Sequence, residues 1–127
     1  MNTKKIIITI AVVVVFIGLI AWYLSAHKVQ DNRVIFFYRT DCPHCKNVED
    51  YVAANNIEQK ITFEKLEVGS NQGNASLLFS KLGICGVDTS SGAPVPVFWD
   101  GKTPNLSNSQ RCIVGDQPII DYFSKLK

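Results

Sequence analysis

The sequence predicts an α/β fold, a small three-layer sandwich with helices on both faces of a central sheet, preceded by one transmembrane helix. Two observations predict it. Residues 6–26 contain no charged side chain and are almost entirely apolar. After them, strand-length apolar runs alternate with helical patterns in the order β-α-β-α-β-β-α, which places helices on both faces of a sheet. The 127 residues leave room for one modest domain.

The first element is the uncharged stretch Ile6–Ala26, which we expect to form a transmembrane helix. About 20 helical residues, at about 1.5 Å each, cover a hydrocarbon core of about 30 Å. Trp22 and Tyr23 lie at its far end, where aromatic side chains favour the membrane–water interface. The helix therefore predicts a membrane anchor.

Lys4 and Lys5 predict its orientation, because positive charge beside a span favours the cytoplasmic side. The folded domain should then lie outside the cytoplasm. The alternative is a cleaved signal peptide and a secreted domain, since the two lysines and Ser25-Ala26 fit that pattern, although the apolar run exceeds the usual ~7–15 residues. The expected parts are a cytoplasmic N-terminus, an anchor, a connector and a domain, at residues 1–5, 6–26, 27–32 and 33–127.

The charge of the domain argues against one class of partner. The chain has 13 Lys and Arg against 11 Asp and Glu, and Lys4 and Lys5 account for the difference. Nucleic-acid binding depends chiefly on neutralising phosphates. We therefore expect no nucleic-acid partner, and membrane contact through the N-terminal helix.

The first strand of the domain leads directly into a helix. Arg33–Arg39 is a nearly continuous run of β-branched and aromatic residues, typical of a strand that is buried on both faces. Pro43 is tolerated in the first turn of a helix. Apolar residues then recur at helical spacing as far as Asn55-Asn56.

A second strand and a second helix follow. Ile61–Val68 alternates apolar and polar residues with one slip. After a loop at Gly69–Gly73, Asn74 is the expected N-cap of a helix and Gly83 its expected end.

Two further strands and a helix complete the domain. Val95–Trp99 predicts a third strand that ends at the turn dipeptide Asp100-Gly101. Beyond an exposed loop, Arg111–Val114 predicts a short fourth strand. Asp116 is the expected N-cap of the final helix, Gln117–Leu126.

Cys42-Pro43-His44-Cys45 is the candidate active site. A Cys-x-x-Cys motif is typically half of a zinc site or a redox pair, and this chain has no second ligand pair at zinc-site spacing. In the redox interpretation Cys42 lies at a helix N-terminus, where free N–H groups and the helix dipole stabilise the attacking thiolate. Cys45, one turn later, would resolve the mixed disulfide. Pro43 would keep the turn rigid.

His44 has two interpretations. Its positive character would stabilise the reduced, thiolate form and make the disulfide a stronger oxidant. Alternatively it is a solvated turn residue without effect on the potential.

A second class of function is a membrane-anchored Cu(I)-binding module that uses Cys42, Cys45 and His44, since thiolates select Cu(I). Such proteins usually add Met or His donors, however, and Met1 is the only methionine. A third class, an inactive interaction domain, would be expected to lose a cysteine. We expect no metal, and no cofactor besides the redox-active disulfide.

Tyr38-Arg39-Thr40-Asp41-Cys42-Pro43-His44-Cys45 after an apolar strand resembles the active-site entry of the thioredoxin superfamily, nearest its glutaredoxin-like branch. The Pro43-His44 dipeptide resembles that of the periplasmic disulfide oxidases. The resemblance covers Arg33–Leu126. It implies a thioredoxin-like fold and exchange of disulfides with protein thiols, with Tyr38 and Arg39 beside the substrate.

Val95-Pro96-Val97 is similar to the superfamily's cis-proline loop. The resemblance implies that Pro96 is cis and packs beside the redox pair, and that Val95 pairs its backbone with an extended substrate. The alternative is a trans proline at the first residue of a strand. Glutaredoxins usually carry Thr at the position of Pro94, and a glycine pair where this chain has Val114-Gly115-Asp116, so glutathione is left open as a partner.

Cys85 and Cys112 are expected to form a structural disulfide. Thiols outside the cytoplasm tend to be oxidised, and the two regions come close in the resembled fold. The alternatives are inert thiols or a relay with Cys42 and Cys45. We expect an oxidase or isomerase, with a membrane redox partner possible. The alternative is a reductase fed by a membrane electron donor.

Overall fold

The structure, a computed structural model, describes residues 2–26 and 31–126. The chain divides into two compact units, Met1–Gln30 and Asp31–Lys127. Most of the expected connector, residues 27–30, lies outside the described residues. The second unit begins close to the expected domain start at residue 33.

Within residues 2–26, the described part of the first unit, the chain forms helix α1 at Thr3–Ala26. Its segment Thr3–Leu24 has a mean hydropathy of 2.8, and its side chains are exposed within the unit. In length and composition this helix is sufficient to cross a membrane, a property that it shares with signal sequences. It begins three residues before the expected Ile6, so Lys4 and Lys5 belong to its first turn.

The second unit is built on a four-stranded mixed sheet. The strands are β1 at Val34–Tyr38, β2 at Glu64–Glu67, β3 at Val97–Asp100 and β4 at Cys112–Val114. Their order in the sheet is β2-β1-β3-β4. The central strand β1 pairs in parallel with β2 and antiparallel with β3, and β3 pairs antiparallel with β4.

Helices cover both faces of this sheet. Helices α2, Pro43–Ala54, and α5, Asp116–Ser124, pack on one face, and α4, Gln72–Cys85, packs on the other. Successive residues of β1 alternate between the two layers: Val34 and Phe36 face α2 and α5, whereas Ile35 and Phe37 face α4. Burial on both faces explains the unbroken apolar run, and the expected layered α/β architecture is confirmed.

Two expected helix boundaries are wrong. Helix α4 is capped by Asn71, whose Oδ1 accepts the Asn74 N–H at 3.0 Å, so Asn74 is inside the helix. The helix also continues through Gly83 to Cys85 and ends at Gly86, which adopts a left-handed conformation with φ of 71°. Gly86 is suited to this position because it has no Cβ.

The remaining differences are at the ends of elements. Helix α5 is preceded by Gly115, with φ of 98°, as its N-cap, and Asp116 is its first residue. A short helix, α3 at Ile57–Lys60, is not predicted by the pattern. Strands β2 and β3 are shorter than expected, so Val95 and Pro96 lie in the loop before β3.

Candidate active site

The site is formed where β1 ends and α2 begins. Cys42 is the N-cap of α2 in an extended conformation, and Pro43 occupies the first helical position. The Cys45 N–H donates to Cys42 Sγ at 3.1 Å. Proline fits here because its missing N–H would have had no partner within the helix. The local sequence therefore aims a backbone donor at the first sulfur.

The two cysteines form a disulfide with a Cα–Cα separation of 5.3 Å. They differ in accessibility, since Cys42 is half-buried and Cys45 is fully buried. A thiol that approaches from solvent therefore reaches Cys42 first. Cys45 is the sulfur that would be displaced in such an attack.

The loop before β3 lies against Cys42. The Val95 carbonyl oxygen is 3.9 Å from Cys42 Sγ. The Val95–Pro96 peptide bond is cis, as the resemblance implies, and not trans. The Gly115 N–H donates to the Pro96 carbonyl at 2.9 Å, which ties this loop to the junction of β4 and α5. Val95 is half-buried and Pro96 is buried.

His44 is held in a polar cluster that the sequence motif does not predict. His44 Nδ1 lies 2.9 Å from Asp116 Oδ2, and Asn47 Nδ2 donates to the same oxygen at 2.9 Å. These hydrogen bonds, that of Asn47 first and then that of His44, lower the pKa of Asp116 from 3.8 to about 2. Asp116 therefore faces His44 as a carboxylate. The i, i+3 spacing of His44 and Asn47, which puts both on one face of α2, was the available signal.

Arg39 lies at the edge of the site, but its guanidinium is engaged. Its Nε and Nη2 donate to the two carboxylate oxygens of Asp41 at 2.9 and 2.6 Å. This bidentate pair lowers the pKa of Asp41. Tyr38 is half-buried, and its ring stacks on Phe36 with centroids 5.8 Å apart. Tyr38 thus packs against the hydrophobic core. The substrate-binding roles of Arg39 and Tyr38 stay predictions.

Cys85 and Cys112 are joined in a second disulfide, with a Cα–Cα separation of 6.1 Å. The bond connects the last residue of α4 to the first residue of β4. Cys85 is buried in the apolar cluster on the α4 face of the sheet. This placement ties a helical layer to the edge of the sheet.

The arrangement at Cys42 is compatible with thiol–disulfide exchange. Exchange needs an accessible sulfur, a second sulfur within bonding reach and a means of stabilising a thiolate. Cys42, Cys45 and the N-terminus of α2 provide these three features. No protein-family model matches the chain, and no curated protein matches it either.

Proposed function

We propose that this protein is a membrane-anchored thiol–disulfide oxidoreductase of the thioredoxin type, which acts outside the cytoplasm on protein thiols. The observation that carries the proposal is the position of Cys42 as the N-cap of α2, with the Cys45 N–H donated to its sulfur. Hydrogen bonds to a charged acceptor are stronger than those to a neutral one. The donor and the helix dipole therefore favour the Cys42 thiolate over the thiol.

The reaction follows from the different exposure of the two sulfurs. A substrate thiolate attacks Cys42 Sγ, the Cys42–Cys45 bond breaks, and Cys45 leaves as a thiolate that takes up a proton. A second substrate thiolate then attacks the substrate sulfur of the mixed disulfide and releases the Cys42 thiolate. The substrate dithiol is oxidised by two electrons to a disulfide, and the protein disulfide is reduced to a dithiol.

The sheet supports the thioredoxin-like assignment. In the sheet, β1 pairs in parallel with the edge strand β2 and antiparallel with β3, β4 pairs antiparallel with β3, and helices cover both faces, an arrangement that is compatible with this fold. The approach of the Val95 carbonyl oxygen to Cys42 Sγ, at 3.9 Å, supports the substrate-pairing role proposed for that loop. An extended substrate would add to the chain there by backbone hydrogen bonds.

Catalytic turnover needs a second partner, because each oxidised substrate leaves the protein reduced. We propose a membrane redox protein that reoxidises the Cys42–Cys45 pair, since α1 would hold this protein in the membrane that contains such a partner. A reductase would run the same exchange backwards with a membrane electron donor. The reduction potential decides between these directions.

The test uses the full-length protein in a mild detergent and two variants that differ in which cysteine is lost. Oxidised wild type should convert a reduced peptide dithiol into its disulfide. Given the peptide in its disulfide form, Cys45→Ser should accumulate a mixed disulfide, because Cys42 attacks the peptide disulfide and the buried resolving thiol is gone, whereas Cys42→Ser should trap nothing. Trapping by Cys42→Ser instead would reverse the roles. A wild type that leaves the dithiol unchanged would overturn the proposal.

A further inference from the structure

The Val95–Pro96 segment that approaches Cys42 is the end of a longer loop. This loop, residues 86–96, connects α4 to β3. Its middle, residues 88–92, is mostly exposed, and the hydrogen bonds described for that part stay inside the loop. The position of Val95 therefore depends on how the two ends of the loop are held.

Both ends of the loop are fastened to the edge strand β4. Cys85, directly before the loop, is joined by the disulfide to Cys112, the first residue of β4. At the other end, the Pro96 carbonyl accepts the N–H of Gly115, the residue that follows β4, at 2.9 Å. Cys112 and Gly115 are three positions apart, which corresponds to about 10 Å of extended chain. One short strand thus holds the loop by a covalent bond and by a hydrogen bond.

The loop and the disulfide also belong to the same hydrophobic cluster, on the α4 face of the sheet. Cys85 is a buried member of this cluster. Residues that pack against it include Cys112 and three residues of the loop, Val87, Ala93 and Val95. Close packing transmits displacements between neighbouring side chains. A shift of the end of α4 relative to β4 would therefore also displace Val95.

We infer that the Cys85–Cys112 disulfide positions the loop 86–96, so that the Val95 backbone stays beside Cys42 and is ready to pair with an extended protein substrate. The inference rests on the proposed exchange function. In this role Cys85 and Cys112 are positioning residues, which act through the loop and not on the substrate itself. Without the bond the loop would have to be ordered when the substrate binds, at a cost in conformational entropy. A small dithiol does not pair with the loop and needs only Cys42 Sγ.

A purely structural disulfide would have a different effect on the reaction. Loss of stability alone lowers the fraction of folded protein, and therefore lowers the rates with all substrates by the same factor. Loss of positioning weakens the binding of an extended peptide and spares a small dithiol. The ratio of the two rates therefore distinguishes the two roles.

The test compares two dithiols in single-turnover reactions of the oxidised full-length protein in detergent. One is a reduced peptide that carries two cysteines among Ser and Ala residues, and the other is dithiothreitol. The dependence of the rate on peptide concentration gives a limiting rate and a half-saturating concentration. Cys85→Ala/Cys112→Ala should raise the half-saturating peptide concentration about fivefold, roughly the contribution of one hydrogen bond. The rate with dithiothreitol should stay unchanged.

Ile57→Ala is the matched control, because it destabilises the same unit from the opposite face of the sheet. Ile57 is 1% exposed and belongs to the cluster that includes residues of α2 and α5. Truncation of a buried isoleucine and removal of a disulfide have comparable costs in stability. Ile57→Ala should preserve the wild-type ratio of the peptide rate to the dithiothreitol rate.

A second variant alters the loop and keeps the disulfide. Two glycines inserted between Ser91 and Gly92 lengthen the exposed part of the loop at little cost in stability. Because the added length uncouples Val95 from Cys85, the insertion should reproduce the selective loss with the peptide. This variant decides the question if the double variant does not fold.

The outcomes separate the positioning role from the proposed function. An unchanged half-saturating peptide concentration in a folded double variant would overturn the positioning role and leave the exchange function in place. The same holds for a ratio of the two rates that changes equally in the double variant and in Ile57→Ala. An insertion variant that reacts with the peptide as the wild type does would also overturn it. A wild type that oxidises neither dithiol would overturn both proposals.

Discussion

Removal of the Cys85–Cys112 disulfide should strongly destabilise the unit Asp31–Lys127. The two cysteines are 27 positions apart in the sequence. For a loop of that length, the entropy that a cross-link removes from the unfolded chain corresponds to about 3.6 kcal/mol. Domains of this kind are typically stable by only about 5–15 kcal/mol. The double substitution Cys85→Ala/Cys112→Ala should therefore consume a large part of the free energy of unfolding.

The surroundings of the disulfide make the entropic figure of about 3.6 kcal/mol a lower bound on the loss of stability. Cys85 is 8% exposed and belongs to the apolar cluster with Leu82 and Trp99. Truncation to Ala also removes packed sulfur atoms from that cluster, which adds a cavity cost. The loss should consequently be about 3.6 kcal/mol or somewhat more.

The assay is guanidinium unfolding of the full-length protein in detergent, followed by tryptophan fluorescence. All variants carry Trp22→Phe, so that the fluorescence comes from buried Trp99 and reports unfolding of the unit Asp31–Lys127. Ile84→Ala, an exposed neighbour of Cys85, is the control and should change stability by less than about 0.5 kcal/mol. Because the unlinked chain exposes more surface when unfolded, the denaturant slope should also rise in the double variant. A loss below about 1 kcal/mol with an unchanged slope would refute the entropic argument.

Three further predictions concern topology, direction and acid stability. Alkaline phosphatase fused after Lys127 should be active, and activity of a cytoplasm-only reporter there would contradict the orientation. The reduction potential of the Cys42–Cys45 pair should lie above the ≈ −270 mV of thioredoxin, and a value at or below it would favour a reductase. The pKa of Asp116 is lowered to about 2. The Asp116 carboxylate therefore contributes its full stabilisation of the fold above about pH 4, and this contribution is lost as the pH falls towards 2. Asp116→Asn should therefore be less stable than wild type near neutral pH, and this difference should vanish in acid unfolding below about pH 2; a pH-independent difference would contradict the assignment.

The layered fold could be predicted because its strongest signals are local. Every residue of Val34–Phe37 is buried, and consecutive side chains enter opposite apolar clusters. A strand that is buried on both faces requires apolar residues at consecutive positions, and an unbroken apolar run in the sequence indicates such a strand directly. The position of Cys42 at the end of that run was predictable for the same reason, since Pro43 marks the first turn of the helix.

Helix ends could not be predicted in the same way, because several residues offered similar caps. Asn71 and Asn74 are both good N-caps for α4. Gly83 and Gly86 are both suited to the C-terminal end of the helix. The structure selects the outer pair. The extension of the helix beyond Gly83 brings Cys85 into the core and places it against Cys112. Tertiary burial and a cross-link, which no local pattern encodes, therefore decide the C-terminal end of α4.

The His44–Asp116 pair changes what can be concluded from the Cys-Pro-His-Cys motif. The two residues are 72 positions apart and meet only because α2 and α5 pack on the same face of the sheet. The motif alone suggests a positive charge beside Cys42, but the structure adds a carboxylate to the same corner. A protonated His44 would then form a nearly neutral pair, whose effect on a thiolate is much weaker than that of a lone cation. The stabilisation of the Cys42 thiolate that remains comes from the backbone, through the N-terminus of α2 and the Cys45 N–H. The proposed oxidising character therefore depends more on the position of Cys42 at the junction of β1 and α2 than on the identity of His44.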